Sequence, residues 1–443
     1  MRILEWNSLD SAGRREALAR AALPAREAAE RLAHEVIAAV RRDGDAAVRA
    51  YTERFDRVTL ETFAVSPAEL TAAQATLGSH QIAALERAIA NVRRFHQAQA
   101  PKPLRLESEP GIRCELVIRP IEAVGLYVPA GSAPLPSAVV MLAVPAQIAG
   151  CPRCVLCTPP RADGSAHPAV LAAAALCGIE QVFKVGGAQA IAALAYGTPS
   201  IPRVDKIFGP GNAWVTATKE LVARDPQGAE CDLPAGPSEV LVLADQSARA
   251  ELVAADLLAQ AEHDPLAQAL LVTTSRALAE SVAAEIALQS RELSRTAILA
   301  QSLRGCRAIL VPDLAAGVAV VNQYAPEHLL LQINSPRHWL GAVRNAGAIF
   351  IGPWSAEPLG DYCAGPNHVL PTYGHARTVS GLSVCDFVKT VSVQELSAAG
   401  LRSLGRIAIT LAELEGLDAH AQAVTRRLAA LDAASVDTAR VAP

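Results

Sequence analysis

Aromatic side chains are scarce in this 443-residue chain: they make up 4% of it, and methionine occurs only twice. A core with so few large rings has to be built from Ala, Leu and Val. Hydrophobic residues reach 51% overall, enough for sizeable buried cores. Charged residues are also sparse, at 19%, and the formal net charge is -4. No Lys/Arg block stands out, so the composition calls for neither nucleic acid nor an anionic membrane as partner. The opening residues Met1-Arg2-Ile3-Leu4-Glu5-Trp6-Asn7 lack the apolar core of a secretory signal. Residues 123–152 lack charge altogether, which is the one hint of a membrane span. Pro129, Pro134, Pro136 and Pro145 interrupt that run, with Gly125 and Gly131, and exclude a continuous spanning helix.

Paired cysteine motifs are missing too. The nine cysteines are odd in number and scattered, which argues for free thiols in a reducing compartment. The expected location is therefore cytoplasmic. Cys151, Cys154 and Cys157 have the spacing of a metal-ligand run, but no second CxxC completes a tetrahedral set. Residues 154–157 read as a short apolar strand, in which cysteine packs as a small hydrophobe. Finally, no GxGxxG follows any expected strand, so the usual dinucleotide fingerprint is absent.

What the chain has in plenty is alternation of short apolar runs with helical ones. Residues 1–110 read as helix, with apolar residues at helical spacing over 14–22, 25–42 and 68–97. From Glu115 strands are expected at 123–128, 154–157, 181–185 and 204–208, each followed by a helix. A second series of the same grammar follows, with strands at 239–245, 269–274, 307–311 and 348–351. From Ser383 the pattern returns to helix. The length suggests roughly two to four domains. The expected fold class is α/β, with two similar Rossmann-like parallel-sheet domains, a helical N-terminal arm and a helical C-terminal tail. The expected partition is an arm over residues 1–24, a first α/β domain from 25–125 and 238–382, a second over 126–237, and a tail over 383–443.

The chemistry-bearing stretches lie at the ends of these elements. In Ala259-Gln260-Ala261-Glu262-His263-Asp264, Gln260 and His263 are three apart. On a helix they share a face, so an amide oxygen and an imidazole nitrogen can point at one metal. Asp264-Pro265 ends that helix. The alternative is a solvated helix terminus with an incidental histidine. Phe208-Gly209-Pro210-Gly211-Asn212 precedes a helix and has the form of a phosphate cradle, though glycines also serve packing in such turns. Ala325-Pro326-Glu327-His328 places a carboxylate beside an imidazole at an expected helix start. These are the two commonest acid/base groups. Asp361 and His368 are joined by a turn-rich segment, and Glu415 and His420 flank a break at Gly416.

In order along the chain, these stretches resemble the histidinol dehydrogenase family, zinc enzymes of histidine biosynthesis. Further matches are Gly125-Leu126-Tyr127-Val128-Pro129, Val185-Gly186-Gly187-Ala188-Gln189, Pro237-Ser238-Glu239-Val240 and Gly365-Pro366-Asn367-His368. The resemblance spans about residues 18–428. It implies a zinc-dependent, NAD-linked four-electron alcohol/aldehyde dehydrogenase. Such an enzyme oxidises L-histidinol to L-histidine through bound L-histidinaldehyde, with two NAD reduced and one Zn2+ per subunit. By resemblance Gln260, His263, Asp361 and His420 are zinc ligands, and Glu327 and His328 carry the acid/base steps. Ser238, His368 and Glu415 join the ligands and His328 around the substrate, and Tyr127, Gln189 and Asn212 contact NAD. The resemblance further implies a homodimer in which Glu415 and His420 complete the site of the other subunit. Ala130-Gly131 stands where the family commonly has Gly-Gly, and Leu135 where an aromatic is frequent. Both bear on the cofactor loop. Two other readings are a paralogue acting on another small primary alcohol and a zinc-stabilised structural dimer without activity. The intact Glu327-His328 pair and the set Ser238, His328, His368 and Glu415 favour the histidinol enzyme.

Overall fold

The computed structural model describes residues 1–21, 26–130, 133–233 and 236–440, with Arg26 and 434–440 as backbone alone. Gly131 of the expected cofactor loop, and the expected boundary at residues 24 and 25, lie outside the described residues. The strands are β1 (Arg2–Glu5), β2 (Leu104–Glu109), β3 (Ile112–Pro120), β4 (Ala123–Tyr127), β5 (Arg153–Thr158), β6 (Gln181–Lys184) and β7 (Lys206–Phe208). They continue as β8 (Glu230–Cys231), β9 (Glu239–Ala244), β10 (Gln268–Thr273), β11 (Arg307–Leu310), β12 (His328–Gln332), β13 (Ala348–Ile351) and β14 (Val388–Leu396). The chain divides into two compact units, Met1–Ala100 with Ile121–Phe387, and Pro101–Pro120 with Val388–Pro443.

The larger unit holds two parallel sheets. One runs β6-β5-β4-β7-β8, the other β1-β11-β10-β9-β12-β13. Leaving β1 aside, both follow the same rule. The first strand of each series is central, the next two build outward on one side, and the last two on the other. The expected pair of similar Rossmann-like sheets is thus present as topology. Strands buried on both faces read as continuous apolar runs, as β9 and β10 do: every residue of each is buried. Cysteine takes its place in these cores as a hydrophobe. Burial pushes the Cys151 thiol up to about 12 and the Cys154 thiol up to about 11, which disfavours the thiolate a metal requires.

Several expectations are corrected. Residues 1–110 are not all helix. Residues 2–5 form β1, which adds to β11 in parallel register from Arg2↔Arg307 to Glu5↔Leu310. The helix expected over 68–97 is two, Pro67–Ala75 and Ser79–Gln99, parted at Gly78. The tail does not open as helix. Residues 388–396 form β14, antiparallel to β3, which pairs in turn with β2. Its alternation had no buried partner face to advertise it, since β14 is exposed along almost its whole length.

Packing also draws the domain lines elsewhere than expected. Residues 25–125 were grouped with 238–382. Instead Val36, Val40 and Val48 share a core with Val155, Ile191 and Ile207 on the five-stranded sheet. Leu70, Ile89 and Val92 pack with Val139, Leu142 and Leu126 of the same sheet layer. Residues 101–120 belong with the tail. The smaller unit consists of the β14-β3-β2 sheet and the helices Ala398–Leu414 and Asp418–Arg440. These two helices pack where Gly405 leaves room for Leu428, 2.9 Å from where a Cβ would stand. Among the described residues no helix is long and apolar enough to cross a membrane.

Candidate active site

Parallel α/β sheets leave a crevice where the strand order reverses. In the six-stranded sheet the order reverses between β9 and β12, where that crevice opens at the carboxyl ends, but a cluster of acids and imidazoles gathers at the opposite ends. It sits at the amino ends of the two strands, at Glu239 and His328. The Glu327-His328 pair does not start a helix, as its Pro326 had suggested. The helix Leu314–Tyr324 ends at Ala325, which takes φ 54°, and the chain passes through Pro326 directly into β12. Both side chains are almost wholly buried, at 5% and 3% exposure.

The backbone of Glu239 holds both. Its N–H donates to Glu327 Oε2 at 2.7 Å, and its carbonyl lies 3.1 Å from His328 Nδ1. Gln260 Oε1 is 3.2 Å from the same nitrogen. A carbonyl can only accept, so Nδ1 carries the proton and Nε2 is the nitrogen left for chemistry. His328 Nε2 stands 3.4 Å from Asp361 Oδ1 without meeting hydrogen-bond geometry, and it has no other partner among the described residues.

Gln260 lies in the last turn of the helix Ala250–Ala261 and is fully buried. The helix closes at Ala261, ahead of Asp264-Pro265, so His263 lies just beyond it and not on its face. The pair still converges: Gln260 Nε2 is 3.4 Å from His263 Nδ1. Asp361 comes from the short helix Glu357–Tyr362, and its carbonyl receives His368 Nδ1 at 2.7 Å. Ser238 is part-buried, and its carbonyl accepts from Gln268 N at 3.0 Å. Glu415 and His420 belong to the smaller unit, where both are exposed beside the Gly416 turn.

One residue was missed. Glu357 is buried at 1% exposure, with a carboxylate oxygen 3.8 Å from His328 Nδ1 and the other oxygen without a hydrogen-bond partner among the described residues. Together with His328 and Asp361 it forms a group whose ligand atoms lie within 4.8 Å of one another. The sequence offered one signal: Glu357 is four residues before Asp361, the spacing that puts two carboxylates on one helix face.

The electrostatics are severe. Burial pushes the Glu327 carboxyl up to about 8 and that of Asp256, beneath the cluster, up to about 7. Glu357 is likewise driven well above the carboxylate range by burial. Burial alone would depress His328, but Glu327, Glu357 and Asp361 outweigh it and hold the imidazole well above its ordinary value. So many buried acids around one imidazole leave an excess of negative charge, which a divalent cation offsets. The donors present, an amide oxygen, imidazoles and a carboxylate, suit zinc, and His328 Nε2 and Glu357 Oε2 are buried without partners. The residues therefore fit a divalent ion.

The five-stranded sheet has its own crevice, between β4 and β7, and here the carboxyl ends carry the candidates. Tyr127 ends β4, and its hydroxyl accepts from Gly187 N at 3.0 Å. Gly209 follows β7 with φ +124°, and a Cβ there would lie 2.0 Å from the Tyr127 carbonyl, so only glycine fits. Gln189 is buried, with its Nε2 3.4 Å from Asp56 Oδ2 and its Oε1 without a partner among the described residues. Asn212 differs from the phosphate-cradle expectation. Its Oδ1 caps the helix Ala213–Arg224, accepting from Trp214 N and Val215 N at 3.1 Å each. Those N–H groups are thus already engaged.

The family model described as histidinol dehydrogenase matches residues 19–428. The chain is 51% identical over 428 residues to the histidinol dehydrogenase of Xanthomonas euvesicatoria pv. vesicatoria, covering 97% of this chain and 99% of that protein. It is 50% identical over 435 residues to that of Vibrio vulnificus, covering 98% and 100%. Among solved structures, histidinol dehydrogenase from Elizabethkingia anophelis superposes with a TM-score of 0.92 at 38% identity, covering 98% of this chain and 99% of that one.

Proposed function

The chain belongs to the histidinol dehydrogenase family, NAD-linked oxidoreductases of histidine biosynthesis, and from that premise we propose how its own residues divide the work. The observation that carries the reading is the buried Glu327-His328 pair fixed on the backbone of Glu239, opposite Gln260, His263 and Asp361. Zinc held by Gln260, His263 and Asp361, with His420, would anchor the imidazole and amine of L-histidinol and fix the reacting carbon, the templating role of a metal. NAD, which Tyr127, Gln189 and Asn212 would hold, would supply the hydride acceptor for each of two oxidations, from alcohol to aldehyde and from aldehyde to acid.

The protein's part is proton management. His328 Nε2 takes the hydroxyl proton as hydride leaves the carbinol carbon, while Nδ1 stays anchored on the Glu239 carbonyl. Glu327 then takes a proton from the water that adds to the bound aldehyde. A carboxyl held near the working pH by burial suits that task. Each group is expected to contribute on the order of 10²–10⁴-fold. Ser238, His368 and Glu415 position the substrate. Retaining the aldehyde between steps keeps it from side reactions.

The tail residues Glu415 and His420 are assigned to the site of the second subunit of a homodimer. Support comes from the smaller unit itself, which leaves Leu106, Val391, Val393, Ile407 and Leu411 more than a third exposed, and Leu414 79% exposed. Apolar surface of that extent marks an interface. A cytoplasmic location fits the free thiols and the biosynthetic role.

The test is the ratio of NADH formed to L-histidinol consumed, before and after chelation and zinc add-back. Two NADH per substrate, lost on chelation and restored by zinc, is the expected result. Failure of the zinc-loaded protein to oxidise histidinol, with turnover of another primary alcohol, would reassign the substrate.

A further inference from the structure

Behind the Glu327-His328 pair lies a second, largely buried layer that no step of the reaction uses. Glu239 is 0% exposed, yet its carboxylate is not directed at the site. Arg20, from the N-terminal arm, grips it with two prongs: Nε donates to Oε1, and Nη2 donates to Oε2 at 2.9 Å. The Tyr373 N–H donates to the same Oε1 at 2.9 Å. The guanidinium does more. Its Nη2 also reaches the carbonyls of Tyr324, at 2.8 Å, and Ala325, at 3.3 Å. Its plane sits 4.0 Å over the Tyr324 ring.

These contacts converge on one mechanical point. The carbonyls of Tyr324 and Ala325 form the open C-terminus of the helix Leu314–Tyr324, where a cation is favoured. Ala325 holds a left-handed conformation that an alanine rarely adopts, two residues before Glu327. Such a turn persists only where its surroundings hold it. On the other side, Glu239 offers Glu327 its N–H and His328 its carbonyl. Arg20 is thus bonded to both walls that place the pair: the turn delivering Glu327 and His328, and the strand start receiving them.

We propose that Arg20 and Glu239 are positioning residues for the acid/base pair, and that the N-terminal arm is thereby part of the catalytic apparatus. This rests on the assignment of the proton transfers to Glu327 and His328. Among the described residues, the side-chain hydrogen bonds of Arg20 and Glu239 go to each other, to the carbonyls of Tyr324 and Ala325 and to the Tyr373 N–H, and none goes to Gln260, His263 or Asp361. The clasp should therefore govern turnover and leave metal and substrate binding largely alone.

The experiment is steady-state kinetics on the full-length, zinc-loaded enzyme, with zinc content and thermal unfolding measured in parallel. The variants are Arg20→Met, Arg20→Lys, Glu239→Gln, and Arg20→Met combined with Glu239→Gln. Arg20→Met strands a buried carboxylate and is the one most at risk of not folding. Arg20→Lys keeps the charge but loses the two-pronged geometry, and the double variant removes both charges. These two carry the test if the first does not fold. The expected result is a fall in kcat on the order of 10- to 100-fold, the scale of a small misplacement of reacting groups. KM for histidinol should stay within about twofold and zinc content should be unchanged. A double-mutant cycle supplies the decisive readout. In a Glu327→Gln background, Arg20→Lys should cost little more, because the group it positions is gone. Losses that simply multiply would overturn the proposal, as would a lower melting temperature with normal kcat per folded molecule. If Glu327→Gln and His328→Ala themselves left turnover intact, the proposed function would fall, and the clasp's role with it.

Discussion

The turn from Gly209 to Asn212, proposed to meet NAD, rests on one buried ion pair, and removing half of it should be felt in two separable ways. Lys219 and Asp232 have side chains 8% and 2% exposed and are hydrogen-bonded to each other. Lys219 Nζ also donates to the Gly209 carbonyl at 2.9 Å, and Asp232 Oδ2 accepts from Gly209 N at 2.7 Å. Both backbone groups of Gly209 are thus fixed by the pair, and Gly209 opens the turn that ends in Asn212. Lys219→Met fills the same space but leaves Asp232 buried without its counter-charge, for a cost of about 3–5 kcal/mol. The double variant Lys219→Met, Asp232→Leu removes both charges and should recover much of that stability, since a well-packed apolar pair is often as stable as a buried ionic one. It cannot recover the two bonds to Gly209. NAD affinity should therefore stay depressed in both variants, by about tenfold for each bond's worth of loop order lost. Hydrogen exchange reads the local effect. The Gly209 amide in Lys219→Met should exchange faster by roughly two to four orders of magnitude, the equivalent of that cost. Calorimetric titration with NAD reads the functional one. A Lys219→Met enzyme with unchanged Gly209 protection and unchanged NAD affinity would refute the reasoning.

Other perturbations are as direct. Gly209→Ala should abolish NAD binding, because the new Cβ would fall 2.0 Å from the Tyr127 carbonyl in a backbone region that disfavours side chains; wild-type affinity in that variant would exclude the described loop. Glu327→Gln should slow oxidation of supplied L-histidinaldehyde by about 10²–10⁴-fold while sparing the first hydride transfer, read as single-turnover NADH formation. Mixing inactive His420→Ala and His328→Ala subunits should restore activity if the tail serves the opposite site, and no recovery would place His420 in its own subunit's site. Asp56 supplies a pH prediction. Burial pushes its carboxyl up to about 6, so between its ordinary value near 3.8 and about 6 the folded protein keeps a proton that the unfolded chain has released. Its favourable contribution is complete below about pH 3.8 and is lost as the pH rises through 6. Asp56→Asn should accordingly stabilise the fold at pH 8 by no more than about 2 kcal/mol after allowance for its partial exposure, read as a higher melting temperature, and should gain less at pH 5. A variant less stable than wild type at pH 8 would show that the charge is compensated.

How much of this was legible beforehand depended on whether a residue's role is local. β9 and β10 are buried on both faces and announce themselves as apolar runs, so the two α/β series could be read directly. β1 and β14 could not. One is a short added strand at a sheet edge, the other an exposed ribbon, and neither has a one-sided apolar pattern for the eye to find. Gln260 and His263 were readable as a pair because they stand three positions apart, even though the helix that brings them together ends between them. The Glu327-His328 pair was readable as chemistry but not as geometry. Pro326 is as compatible with the approach to a strand as with a helix start, and the left-handed Ala325 that decides between them leaves no mark in the sequence. Arg20 was unreadable in principle. It lies 219 residues from Glu239, and its task exists only once the arm has folded back onto the start of β9. The same contrast explains why family resemblance assigns groups to the substrate but says nothing of the layer behind them. Acids and imidazoles at a site are chosen for their chemistry, so their identity is informative by itself. A positioning residue is chosen for its distance and direction to another residue, and only coordinates contain those.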